Sequence, residues 1–181
     1  MHKKNLSIVA AIMMATLAII KFSNMLNTGK DTASAEPTQH ITNKIRPEFS
    51  LPDLHGEMRS IKEWDNNYIV INFWATWCPP CLEEIPEFIA LQKEYKASKL
   101  QFIGVAIDNK ASVQQFALEI GMNYPSLIAG MPGVELAKQY GNSMGALPFS
   151  VIVNPEGRII AQQIGLLERS KILATTQLSK D

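Results

Sequence analysis

The apolar positions of this chain fall into blocks of distinct period, and each block predicts an element. Leu6 to Ile20 is a run in which only Ser7 and Thr16 are polar, set behind Lys3 and Lys4 and ahead of Lys21. That is the pattern of an export signal with a basic leading region. The run is shorter than the roughly 20 apolar residues of a spanning helix, so length leaves a cleaved signal and a retained anchor both open. The small-residue pattern Ala33-Ser34-Ala35 lies well past Ile20, far from the membrane edge where a signal peptidase acts, which favours an anchor over residues 1–26. Lysines on the short leading side predict that the rest of the chain is exported. Residues 27–46 are rich in Thr, Ser, Ala, Asn and Lys without an apolar period, and read as a flexible tether.

Residues 47–181 read as one globular domain. Apolar positions alternate around His55-Gly56 between Phe49 and Ile61, predicting a short hairpin. Tyr68 to Trp74 (YIVINFW) is a mostly apolar run rich in β-branched and aromatic residues, the composition of a strand buried on both faces. From the cysteines to about Ala97 the spacing of Leu82, Ile85 and Ile89 turns helical, with Pro86 expected to kink the helix. Leu100 to Ile107 predicts a second buried strand and Tyr124 to Ile128 a short one. Val113 to Ile120 and Gly133 to Tyr140 predict helices closed by Gly121 and Gly141. Phe149 to Val153 and Ile159 to Ile164 flank Asn154-Pro155-Glu156-Gly157 and predict an antiparallel hairpin, after which Glu168 to Leu178 predicts a final helix. This order predicts an α/β fold: a mixed sheet with parallel central strands and an antiparallel edge, helices on both faces, and an N-terminal hairpin extension.

Composition narrows the function classes. The chain has 181 residues, 46% of them hydrophobic, and 17 basic against 17 acidic side chains. Without the first 35 residues the balance is 13 basic to 16 acidic, which gives no electrostatic case for binding nucleic acid. The two cysteines stand three residues apart, and the histidines are His2, His40 and His55, too few ligands for a zinc site. No metal site and no cofactor are expected, and no feature suggests a dimer.

Cys78-Pro79-Pro80-Cys81 follows a buried strand and opens a helix, the context in which this spacing reads as redox chemistry. Residues i and i+3 of a first helical turn bring two sulfurs within disulfide reach. Cys78, at the helix start, faces unpaired backbone N–H groups and the positive end of the helix dipole, so it is the expected attacking thiol. Cys81, one turn on, is the expected resolving thiol. A purely structural disulfide is disfavoured, because closing so short a loop removes little unfolded-state entropy.

Asn72 to Pro86 (NFWATWCPPCLEEIP), together with Ala146 to Gly157 (ALPFSVIVNPEG), resembles the thioredoxin superfamily. Within it, the chain is similar to the membrane-tethered TlpA/ResA/CcmG branch, including the leading Phe49-x-Leu51 hairpin. The resemblance implies a thioredoxin-like fold and reduction of disulfides in exported proteins, such as apocytochromes c or metallochaperones, with electrons from a membrane thiol donor. It implies a periplasmic domain tethered to the inner membrane. Pro148 matches the family's cis-proline beside the disulfide, where substrate chains are bound. Leu147 and Phe149 flank it and imply an apolar groove. Thioredoxins carry a buried Asp where this chain has Asn72, which cannot titrate. Glu84, three residues after Cys81 and so one turn along the same face, is the expected proton acceptor. Trp77 is expected to shield the disulfide and contact substrate, and Trp74 to pack beneath it.

The chain departs from two related activities and leaves a third open. A peroxidase of the peroxiredoxin kind needs Thr three residues before its cysteine, where this chain has Ala75, with Thr76 one place late. Copper proteins of this fold add a histidine after the cysteines, and none follows His55. An oxidant or isomerase stays open, because spacing does not set redox poise.

Overall fold

A computed structural model describes residues 43–179; the expected anchor over 1–26 and most of the tether lie outside them. Among the described residues no helix is long and apolar enough to cross a membrane. Strands β1 (Ser50–Pro52) and β2 (Met58–Ser60) form the leading hairpin, whose turn is tied by the Asp53 carboxylate accepting the N–H groups of His55 and Glu57. There follow β3 (Tyr68–Trp74), α1 (Pro79–Glu94), β4 (Leu100–Ala106), α2 (Lys110–Ile120), β5 (Ser126–Ile128), α3 (Gly133–Gln139), β6 (Phe149–Val153), β7 (Ile159–Ile164) and α4 (Arg169–Thr176). The five-stranded sheet has the order β5-β4-β3-β6-β7. Strands β3, β4 and β5 are parallel, and β6 and β7 complete the other side through antiparallel pairings.

Alternation along β3 divides the core. Ile69, Ile71 and Phe73 face Ala137 of α3, the adjoining Tyr140 and the side chains of Ile61 and Trp64. Val70 points the opposite way, against Phe88 and Leu91 of α1 and Ile172 of α4. Trp74 shares that second face with the two cysteines, Ile85 and Val113 of α2. Phe88 stacks on Phe102 with centroids 5.0 Å apart, holding α1 over the central strands.

Boundaries differ from the sequence reading for local reasons. Helix α2 starts at Lys110, three residues early, because the Asn109 side chain accepts the Ser112 N–H and caps it. Helix α4 stops at Thr176, since Gln177 adopts the left-handed conformation (φ 55°). A 3₁₀ helix, Ile61–Trp64, was not anticipated; Ser60 and Glu63 form a capping box around it. Residues 43–46, assigned by composition to the tether, are instead laid on the β6–β7 turn: Ile159 N–H donates to the Lys44 carbonyl at 2.8 Å and Arg46 N–H to that of Gly157 at 2.9 Å. Since β6 pairs Val153 with Ile69, this attachment lies at the N-terminal end of β3. The cysteines follow its other end.

Candidate active site

The loop Ala75 to Trp77 leaves the C-terminal end of β3 and is held from both sides. Ile107 N–H donates to the Trp74 carbonyl at 2.8 Å and Cys78 N–H to that of Ala75 at 3.2 Å. Asp108 Oδ2 accepts the Thr76 N–H at 3.0 Å and also the Thr76 hydroxyl. Desolvation would raise the Asp108 carboxyl, but the hydrogen bonds from Thr76 and Asn109 outweigh it and hold the group below its ordinary value. The sequence reading did not single out Thr76 or Asp108 as a brace for this loop.

Cys78 and Cys81 are joined as a disulfide with Cα atoms 5.3 Å apart. Cys78 is 5% exposed and Cys81 not at all, so of the two residues only Cys78 has any surface. Cys78 occupies the N-cap position of α1 with extended backbone. One expectation is corrected here. Pro79 and Pro80 have no N–H to offer, and the N–H groups of Cys81 and Leu82 both donate to the Cys78 carbonyl, at 3.0 and 3.3 Å. The helix start therefore presents far fewer free donors to the Cys78 sulfur than an ordinary first turn would.

Glu84, on α1 one turn beyond Cys81, is 5% exposed. Its Oε1 accepts from Asn72 Nδ2 at 2.7 Å and its Oε2 from the Leu167 backbone N–H at 2.9 Å. Burial raises its carboxyl to about 7, against the pull of these two hydrogen bonds. Its own burial, and then the Glu84 charge nearby, push the Tyr124 phenol above its ordinary range. Leu167 and Asn72 as partners of this carboxyl are additions to the sequence reading.

The Leu147-Pro148 bond is cis, as the resemblance implied, and the Pro148 carbonyl accepts the Gly165 N–H at 2.8 Å. Leu147 is half-buried and packs against both the cluster that holds the cysteines and the one on the other face. Phe149 does not line a groove: it is 1% exposed and packs on Phe73 with tilted rings whose centroids are 5.7 Å apart, because its place opposite Phe73 in the β3–β6 register turns it into the core. Trp77 is 64% exposed, whereas Trp74 is sealed beneath the cysteines. Met131, Met144, Ile164 and Leu166 are also exposed, in the loops that follow β5, precede β6 and end β7. These loops share the end of the sheet from which the cysteines emerge.

Among the described residues no cluster of His, Cys, Asp and Glu could hold a metal ion. A pair of cysteines at a helix start, one open and one sealed, with a buried carboxyl one turn further in, can accept and return two electrons by thiol-disulfide exchange.

Comparison with known proteins agrees with this chemistry. The profile of the AhpC/TSA family matches residues 42–162. The thiol-disulfide oxidoreductase ResA of Halalkalibacterium halodurans is 30% identical over 176 residues, 97% of this chain and 93% of that protein. ResA of Bacillus subtilis is 24% identical over 94% of this chain and 90% of its own length. Among solved structures, a thiol-disulfide oxidoreductase from Bacteroides fragilis superposes with a TM-score of 0.63 at 31% identity, covering 72% of this chain and 98% of that one. A thioredoxin family thiol:disulfide interchange protein from Chlorobium tepidum, at TM-score 0.67, 23% identity and coverage of 75% and 94%, shares the fold. By this coverage and identity the chain belongs to the AhpC/TSA family and is a thioredoxin-fold thiol-disulfide oxidoreductase of the ResA type.

Proposed function

We propose that the protein works as a reductant of disulfides in exported proteins, outside the cytoplasmic membrane and tethered to it through the apolar run Leu6 to Ile20. The observation that carries the direction is the pair of prolines between the cysteines. A strong thiol oxidant is one whose reduced form is stabilised, chiefly as a thiolate held by nearby donors and charges. Here the residues between the cysteines carry neither N–H nor charge, and the next two N–H groups are engaged by the Cys78 carbonyl. The Cys78 thiolate is therefore only modestly stabilised, and the dithiol gives up its electrons more readily.

In the reducing half-cycle the Cys78 thiolate attacks one sulfur of a client disulfide, and the other client sulfur leaves as a thiolate that is protonated from water. Cys81 passes its proton to Glu84 and attacks Cys78 Sγ, breaking the mixed disulfide and releasing the second client thiol. The Cys78–Cys81 disulfide remains, and exchange with a membrane dithiol carrier, which is itself oxidised to a disulfide, supplies the two electrons and two protons that return the pair to the dithiol. The half-buried Leu147 beside the buried cis-Pro148, the exposed Trp77 and the apolar loops around them suit an extended client segment with apolar residues beside its cystine, as in an unfolded apocytochrome or a metallochaperone loop.

The test is the potential of the Cys78–Cys81 couple, measured by equilibrating the purified protein in glutathione or dithiothreitol buffers. A value well below about −200 mV supports the reductant. A value near −120 mV, that of the strongest exported oxidants, overturns the direction in favour of a disulfide donor or isomerase.

A further inference from the structure

Strand register sets Asn72, Gly104, Ser126 and Ser150 in one row across β3, β4, β5 and β6, and Asn72 reaches from that row to Glu84. Both carboxyl oxygens of Glu84 meet N–H donors, from Asn72 at 2.7 Å and from Leu167 at 2.9 Å. An ionised carboxylate accepts both. A protonated one still has acceptor lone pairs, but its O–H adds a donor that needs an acceptor, and neither N–H can serve as one. The Leu167 N–H is fixed by the backbone. The Asn72 amide is not: a half-turn of its plane exchanges Nδ2 for Oδ1.

Two observations mark this amide as built for both orientations. Its Oδ1 is buried and has no hydrogen-bond partner, an uncommon condition for a carbonyl oxygen 1% exposed. Its other hydrogen bond, from Nδ2 to Ser150 Oγ at 2.9 Å, is made to a hydroxyl, which can accept now and donate after the turn.

We propose that Asn72 is a positioning residue whose amide turns with the protonation of Glu84, donating to the carboxylate and accepting from the carboxylic acid. This rests on the reading that Glu84 takes the proton of Cys81. When that proton arrives on Oε1, Oδ1 swings to accept it together with the Ser150 hydroxyl, and the orphaned position passes from the carbonyl oxygen to the amide nitrogen. When the proton leaves to solvent the amide turns back. Glu84 is faced by Asn72 and, through it, Ser150 from the sheet, by Leu167 from the loop before α4 and by the Tyr124 phenol ahead of β5, and Cys81 stands one turn back on its own helix. Among the described residues no cation pairs with it, so the amide is the one partner that can answer the change of charge.

The experiment is NMR of the oxidised protein between pH 5 and 9, following the Glu84 carboxyl carbon, the Asn72 side-chain amide and its nuclear Overhauser contact to Ser150. The expected result is one common midpoint, with the amide-proton contact to Ser150 present above it and lost below. Titration of Glu84 with that contact unchanged throughout overturns the switch while leaving Glu84 its role. No titration of Glu84 in this range overturns both. Asn72→Leu should raise the Glu84 midpoint, and the pH midpoint of client-disulfide reduction with it, by up to about one pH unit, since the bond lost from the charged form is stronger than the one lost from the acid. Should that variant fail to fold, Ser150→Ala should move both midpoints together by several tenths of a unit. Midpoints that stay at the parent value overturn the proposal.

Discussion

Glu84 on α1 and Leu167 before α4 are 83 residues apart in sequence, yet the carboxyl of one accepts the backbone N–H of the other at 2.9 Å. That bond ties together two elements that enclose a titratable group in the core, one turn from the sealed cysteine, and the burial, which the bond only partly offsets, makes the fold sensitive to pH.

The carboxyl of Glu84 is raised from 4.5 to about 7 in the folded protein. The folded state therefore holds a proton that the unfolded chain has released between pH 4.5 and 7, and stability falls as pH rises through that window before levelling above it. The full effect is about 3 kcal/mol. Glu84→Gln should abolish the slope and melt at a higher temperature than the parent at pH 8. Thermal unfolding from pH 4.5 to 9 decides it, and an unchanged slope would place the proton elsewhere.

The unequal exposure of the two sulfurs predicts an asymmetric pair of variants. Cys81→Ala should accumulate mixed disulfides with client proteins on non-reducing gels, because the open Cys78 attacks and nothing resolves the product. Cys78→Ala should accumulate none. Turnover should fall at least about 100-fold in both, since the two thiols act as a unit. Trapping through Cys81 would reverse the assigned roles.

Trp74 and Trp77 are three residues apart and should behave oppositely. Trp74→Ala empties a site beneath the cysteines and should cost about 3–5 kcal/mol of stability. Trp77→Ala removes an exposed ring and should change stability by less than about 0.5 kcal/mol, while slowing reaction with a protein disulfide more than with a small one. Equal slowing for both substrates would mean that Trp77 does not touch the client. Chemical denaturation and single-turnover kinetics separate the two effects.

Gly104 lies in the middle of β4 because nothing larger fits. An added methyl would stand 2.9 Å from Trp74 Nε1 and 3.2 Å from Ser126 Oγ. Gly104→Ala should lose about 1–3 kcal/mol through this crowding, read as a lowered denaturation midpoint with unchanged slope. A midpoint equal to the parent's would show that the indole can move aside.

Much of this could be read from residue order because it is local. The β-branched run Tyr68 to Trp74 and the Cys-Pro-Pro-Cys that follows it by themselves place the cysteine pair at the end of a buried strand. The capping box around the 3₁₀ helix was equally legible, as Ser60-Ile61-Lys62-Glu63, and was passed over. The error at Phe149 came from reading neighbours of Pro148 as a surface, when the two-residue period already opposes it to Ser150. Asn72, Glu84 and Leu167 could not be assembled from sequence, because three elements far apart in the chain meet only once the strands have found their register. The donor shortage at the helix start needed no structure: two prolines in a row state it.

The sealed state of Cys81 has a kinetic consequence. With Cys78 the one cysteine of the pair that has any surface, the electron donor and the client must take turns at the same residue, and neither can bind while the other is attached through a mixed disulfide. Steady-state rates measured against both partners should give parallel lines in double-reciprocal form, and each partner in excess should inhibit the other's half of the cycle.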